Sequence, residues 1–230
     1  MDIELKNTLR AFVWPLIIVA AMWVVFLLQH LLPFSPALLA VHPLHLDGLH
    51  GIFTAVFVHK DAGHIFSNTV PLLVLGWALF YYYREFALKA LILMWLTAGL
   101  WVWFFARENY HIGASGLVYA LAAFHIVSAL LRRVFGLMAF AMLVIFLYGG
   151  MVWGFFPELF PKENISWESH FMGALSGVVY AFYYRKTGIQ KPVYDDDDFY
   201  DDDEEDNNLS PYQSHIRYFY KENEKEKTGQ

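Results

Sequence analysis

Six long apolar runs, nearly free of charge, restrict this chain more than any other feature. They cover residues 11–28, 65–83, 90–106, 112–131, 134–157 and 169–184. Each has about 16 to 24 residues, enough at ~1.5 Å per residue to cross a hydrocarbon layer of ~30 Å. Helices of water-soluble cores carry a polar stripe, and these runs have none. The sequence predicts an all-α membrane protein, a bundle of six transmembrane helices.

Charge is scarce and unevenly distributed. Charged residues make up 17% of the chain, below the ~25% of an ordinary soluble domain. Up to residue 186, eleven Lys and Arg face nine Asp and Glu; beyond it five face thirteen. A nucleic-acid binder driven by basic charge is excluded. The absence of cysteine excludes a disulfide scaffold and a cysteine-ligated zinc or iron–sulfur centre. Between the runs, one set of loops holds Lys6, Arg10, Arg84, Lys89, Arg132, Arg133, Arg185, Lys186 and Lys191. The alternate set holds only Lys60, Arg107 and Lys162. Positive loops stay inside, so both termini are expected in the cytoplasm, in a multi-pass protein of the bacterial inner (plasma) membrane. The first run is too long for a cleaved signal peptide, and no small-x-small pattern follows Leu28. It is expected to remain as an anchor.

Two domains are expected, a membrane domain over 1–189 and a tail over 190–230. Residues 195–198 and 201–206 place ten acids around Phe199 and Tyr200. Like charges so dense repel, and the tail is expected to be disordered and cytoplasmic. Residues 33–63 form the longest outside loop. Within it, 44–58 alternates apolar patches with histidines, the pattern of a segment lying in the interface.

Polar groups in lipid are costly and call for a reason. His64 and Asn68 open the second run, Ser115 the fourth and His170 the sixth. By the charge argument all three runs pass from outside to inside, so these four residues share one depth. His64 and Asn68, four apart, share a helix face. A serine hydroxyl becomes a nucleophile when a base takes its proton, and histidine is the usual base. Acyl transfer also needs donors at the developing oxyanion. The Asn68 amide, the His64 imidazole and the Ser115 backbone N–H are candidates, the last at a helix start. Gly113 allows a tight turn. Gly173 and Gly177 form a small-xxx-small face that matches Gly116 and Ala120. Their close approach brings His170 to Ser115, with the Tyr119 ring against the imidazole.

These residues resemble those of a rhomboid intramembrane serine protease over about residues 48–186. The likeness rests on Gly113-Ala114-Ser115-Gly116, on His64-x-x-x-Asn68 preceded by His59, and on His170-x-x-Gly173-x-x-x-Gly177, in order and on alternate helices. It implies a six-helix bundle with a Ser115–His170 dyad in a water-filled cavity open to the outside. It further implies His64 and Asn68 in the oxyanion site, transmembrane proteins as substrates, and cleavage near the outer end of the substrate's helix. Many rhomboids carry a Trp-Arg pair in the first outside loop; residues 33–58 contain neither.

Other readings are weighed on the same residues. Ser115 alone reads as a packing serine. An α/β-hydrolase elbow fails, because Leu117 breaks Gly-x-Ser-x-Gly and no strand precedes it. His42, His45, His50 and His59 lack a His-Glu-x-x-His pattern or paired carboxylates, so no metal and no cofactor is expected. Glu168 is two residues from His170 and faces elsewhere, so a dyad without a third carboxylate is expected. Besides an endopeptidase, the alternatives are a non-catalytic protein that holds client helices and, further off, a transporter.

Overall fold

Inside a bilayer every backbone N–H and C=O needs a partner within the protein, and an apolar run finds its own only as a helix. A computed structural model of the chain describes residues 3–32, 35–156 and 166–191. The helices are α1 (Ile3–Ala11), α2 (Val13–Leu31), α3 (Gly51–Thr54), α4 (Ala62–Tyr82), α5 (Ala87–Phe105), α6 (Ser115–Arg132), α7 (Phe135–Tyr148) and α8 (Trp167–Tyr183). The stretch Ile3–Leu31 and helices α4, α5 and α6 are each long and apolar enough to cross a membrane. Helices α7 and α8 are shorter, at 14 and 17 residues. Among the described residues, extended pairing is confined to one antiparallel bridge between Val41 and His111. The chain is an all-α membrane protein. It divides into two units, Met1–Lys191 and Pro192–Gln230; the expected disorder of the acidic tail falls on residues outside those described.

Helix boundaries depart from the apolar runs where glycine intervenes. The fourth run begins at residue 112, but α6 starts only at Ser115, because Gly113 adopts φ +107° and breaks the helical path. The fifth run was expected to continue as one span to Pro157, which is outside the described residues. Helix α7 instead stops at Tyr148, and Gly149–Phe155 winds as a 3-10 helix. Gly149 and Gly150 have the weakest α-helical preference apart from proline, and the tighter winding advances ~2 Å per residue.

Helix α6 is the centre of the bundle: 61% of its most apolar stretch is buried, against 28–39% in the other three long helices. Without a hydrophobic drive between helices in lipid, small residues and interhelical hydrogen bonds set the contacts. A Cβ built on Gly173 would stand 2.0 Å from the Gly116 carbonyl oxygen, and one on Gly177 2.0 Å from that of Ala120. Backbone therefore lies against backbone along the α6–α8 seam. On the other side of α8, the Ser176 hydroxyl donates to the Met94 carbonyl at 3.0 Å, and Thr97 Oγ1 bonds Tyr180 Oη at 2.8 Å. His125 Nε2, fully buried, donates to the Leu75 carbonyl at 2.9 Å and ties α6 to α4. At the far end of α6, buried Arg132 donates to the carbonyls of Tyr184, Thr187 and Ile189. Its guanidinium lies 5.3 Å from the Tyr83 ring centre.

The outer loop is a chain of short helical turns, Pro36–Leu39, Leu46–Gly48, α3 and Ala55–Phe57. Its apolar stretch Leu46–Phe57 is shorter than the membrane-crossing helices. Leu44 N–H donates to the Trp103 carbonyl, and Trp103 Nε1 donates to that of His45, both at 3.0 Å. At the loop's end His59 is 1% exposed, and its Nε2 accepts from the Ala114 N–H at 3.4 Å. Burial, reinforced by His64 nearby, pushes its pKa down to about 4.

A methyl group at 177 has no space, whereas one at Gly136 meets nothing within 4 Å. Overpacking costs ~1–3 kcal/mol, and each kcal/mol moves the midpoint by ~2–4 °C at this size. We expect Gly177→Ala to lower the thermal unfolding midpoint of the detergent-solubilised protein by about 5 °C. Gly136→Ala serves as the control, and equal midpoints for the two would count against the seam. His59 supplies a pH dependence. Its pKa falls from 6.5 to about 4 on folding, so the unfolded chain takes up the proton more readily. Its stabilising contribution is complete above pH 6.5 and is lost as the pH falls toward 4. The thermal midpoint is expected to drop between pH 7 and pH 5, and to drop less in His59→Gln.

Candidate active site

The site begins with a turn that only glycine makes easily. Gly113, at φ +107°, bends the chain into α6, and a Cβ there would meet the His64 ring at 2.7 Å. Its N–H donates to the Ala55 carbonyl at 2.9 Å. Ser115 is thus the first residue of α6, where the leading N–H groups have no intrahelical acceptor and the dipole is positive.

The α6–α8 seam brings the first turns of both helices together. A Cβ on Gly116 would lie 3.1 Å from the Ser169 carbonyl, and the next residue is His170. Ser115 Oγ and His170 Nε2 are 3.0 Å apart. His170 Nδ1 is 3.0 Å from the Gly154 carbonyl. A carbonyl only accepts, so Nδ1 carries the proton and Nε2 presents its lone pair to the serine O–H. The Tyr119 ring stacks on the imidazole at 4.2 Å and 6°.

On α4, Asp61 is the N-cap, its carboxylate accepting from the His64 N–H at 2.8 Å. That bond holds the Asp61 carboxyl below its ordinary pKa. Asn68 is 3% exposed, and its Nδ2 donates to the His64 carbonyl at 2.8 Å. One amide hydrogen remains for a ligand. His64 packs edge-on against His59, with ring centres 4.9 Å apart. His64, Asn68, Ser115, Tyr119 and His170 all line one cavity of about 840 Å³, whose rim includes Lys60, Asp61 and Arg107.

The structure therefore gathers Ser115, His170, His64 and Asn68 around one cavity, with Gly113, Gly116, Gly173 and Gly177 at the close approaches that bring them there. It also supplies groups that sequence reasoning missed. Gly154 orients His170, and a Cβ on it would meet Tyr119 Oη at 2.1 Å and His170 Nδ1 at 2.7 Å. Nothing in Trp153-Gly154-Phe155 separates this glycine from an ordinary packing residue. Glu168 bonds Arg107 at 3.0 Å, and His111 bonds Ser166.

Possible metal ligands occur elsewhere among the described residues: His42, His45 and Glu108 have one ligand atom each within 4.8 Å of one another. The two rings lie face to face at 3.8 Å and 3°. Their nitrogen lone pairs lie in parallel planes, so a shared ion would require one ring to turn.

A hydroxyl aligned with a carbonyl-oriented imidazole, beside amide donors and a helix start, can carry out acyl transfer. Comparisons with known proteins bear on the same region. A profile of the Rhomboid domain matches residues 47–187. An uncharacterized protein of Mycobacterium tuberculosis (strain ATCC 25618 / H37Rv) is 34% identical over 148 residues, 62% of this chain and 62% of its own length. One of Mycobacterium leprae is 36% identical over 152 residues, 60% of this chain and 57% of its own. The chain therefore spans about three fifths of the curated relatives it matches. The profile covers more than half of the chain and takes in all the helices that build the cavity, from α4 to α8, and on that ground the chain belongs to the rhomboid family.

Proposed function

We propose that this chain is an intramembrane serine endopeptidase that hydrolyses peptide bonds in or near transmembrane segments of other membrane proteins. The observation that carries the reading is the 3.0 Å approach of Ser115 Oγ to His170 Nε2 at the wall of an open, partly polar cavity. Membership of a family made up mostly of such proteases supports it.

The membrane domain is a six-span bundle, with α7 and α8 as the short fifth and sixth spans and both termini in the cytoplasm. The distribution of Lys and Arg supports that orientation. The rim residues Lys60 and Arg107 then face the outside, and the membrane is a plasma membrane, as the bacterial sources of the relatives suit.

In the reaction Ser115 Oγ attacks the scissile carbonyl carbon while His170 Nε2 takes the hydroxyl proton. The imidazolium is held by its Nδ1–H bond to the Gly154 carbonyl. The carbonyl oxygen becomes an oxyanion, met by the Ser115 N–H, the remaining Asn68 amide hydrogen and the His64 ring. Collapse breaks the C–N bond, and the leaving amine receives the proton from His170. Water, deprotonated by the same imidazole, then attacks the acyl-serine and releases the carboxyl product. The Gly154 carbonyl keeps the tautomer fixed without a third acid.

A fluorophosphonate probe tests the nucleophile directly. Labelling is expected in the parental chain and absent in Ser115→Ala. His170→Ala is expected to label ~10³-fold more slowly, since loss of one dyad member removes most of the activation. Labelling that survives Ser115→Ala overturns the assignment, and a chain that captures client helices without being labelled would be the non-catalytic binder. Asn68→Ala is expected to lower kcat by about 10²-fold, the worth of one oxyanion donor, with the thermal midpoint little changed. Parental kcat in that variant would remove Asn68 from the oxyanion site.

A further inference from the structure

His170 occupies the least secure part of its helix. It is the fourth residue of α8, and first turns fray because their N–H groups lack intrahelical acceptors. Its backbone N–H rests on the Ser166 carbonyl at 3.3 Å, and that of Ser169 rests there at 3.1 Å. Whatever holds Ser166 therefore holds His170.

Ser166 is the N-cap of α8, yet its side chain makes no capping bond to the helix. Its hydroxyl is engaged with His111 Nδ1 and with Ser169 Oγ, the latter at 2.7 Å. The bond directions follow from the far end of the chain of contacts. His111 Nε2 is 3.1 Å from the Arg107 carbonyl, which only accepts, so Nε2 carries the proton. Nδ1 then accepts from the Ser166 O–H, and Ser166 Oγ accepts from the Ser169 O–H. His111 is itself fixed, exchanging both backbone bonds with Val41 at 2.9 and 3.0 Å. A second tie runs beside the first. Glu168 is 4% exposed, and its Oε1 lies 3.0 Å from Arg107 Nε. Arg107 thus receives both ties, one on its carbonyl and one on its side chain.

We propose that His111 and Glu168 are positioning residues that fasten the first turn of α8 to the α5–α6 connection and so hold His170 at bonding distance from Ser115. The inference rests on the protease reading above. Glycine contacts at 173 and 177 fix how closely α8 approaches α6, one turn and two turns below the histidine. The Arg107 ties fix the turn that bears the histidine itself. A dyad has to be held to within ~0.5 Å, and a backbone packed further along the helix does not supply that at its frayed end.

The test uses the full chain in detergent with a fluorophosphonate probe, separating the inactivation rate constant from the probe's binding constant, together with hydrogen exchange of residues 166–172. A misplacement near 1 Å costs ~10²-fold, so His111→Phe and Glu168→Gln are expected to lower the inactivation rate constant by about 10- to 100-fold. Probe binding is expected to stay within about twofold, because neither side chain is assigned a contact with the probe. His111→Asn keeps an acceptor for the Ser166 O–H and is expected to recover the rate to within about threefold of parental. Exchange at 166–172 is expected to quicken in His111→Phe and Glu168→Gln and to return in His111→Asn. Parental inactivation rates in both variants overturn the proposal, as does a loss that His111→Asn fails to rescue. If the parental chain is not labelled at all, the protease reading falls. Exchange then decides the anchoring alone: unchanged protection overturns it, and selective loss at 166–172 upholds it.

Discussion

Two backbones lying against each other with nothing between them is the condition on which the rest of this molecule depends. Along the α6–α8 seam the carbonyls of Gly116 and Ala120 occupy the space where side chains of Gly173 and Gly177 would be. Lipid gives helices no hydrophobic reason to associate, so contact has to come from shape and from polar bonds. Both are used here. Glycine removes the side chains that would separate the helices, and Ser176, Thr97 and His125 bond α8 or α6 to their neighbours. The Ser115–His170 approach is the end of that seam, at the point where both helices begin.

The cluster at that end combines requirements that oppose one another. A hydroxyl and an imidazole need water and free donors to work, while helices in lipid need every polar group satisfied. The fold reconciles them by placing the polar groups at helix starts, where N–H groups are unpaired in any case. Asn68 illustrates the compromise: one amide hydrogen goes to the His64 carbonyl, which orients the side chain, and the other is left for use. His170 is treated likewise, with one nitrogen engaged by Gly154 and the other at Ser115.

Much of this was legible in the sequence, because the signals were strong ones. Hydropathy exposed the helices, and rare polar residues at matched depth exposed Ser115, His170, His64 and Asn68. The glycine spacing exposed the seam. What escaped was carried by connections that have no period. Gly113 shortened the fourth helix and the Gly149–Gly150 pair the fifth, through backbone conformation that hydropathy ignores. Gly154 orients the histidine through its carbonyl, a group every residue possesses. Glu168 read correctly as no member of a triad, but its partner Arg107 lies 61 positions away in a loop, and charge alone does not pair residues at that distance. His111 sat among several histidines of the outer face with nothing to distinguish it.

The brevity of α7 reaches beyond the protein. At 14 residues and ~1.5 Å each it measures about 21 Å, well under the ~30 Å thickness of a hydrocarbon slab. The 3-10 turns that follow make up part of the shortfall, and acyl chains beside this helix absorb the remainder by tilting or shortening. On the six-span reading, the molecule carries a local dent in its surrounding lipid. It gathers preferentially where the membrane is thin, and lipid chain length becomes one of the variables that govern how it behaves.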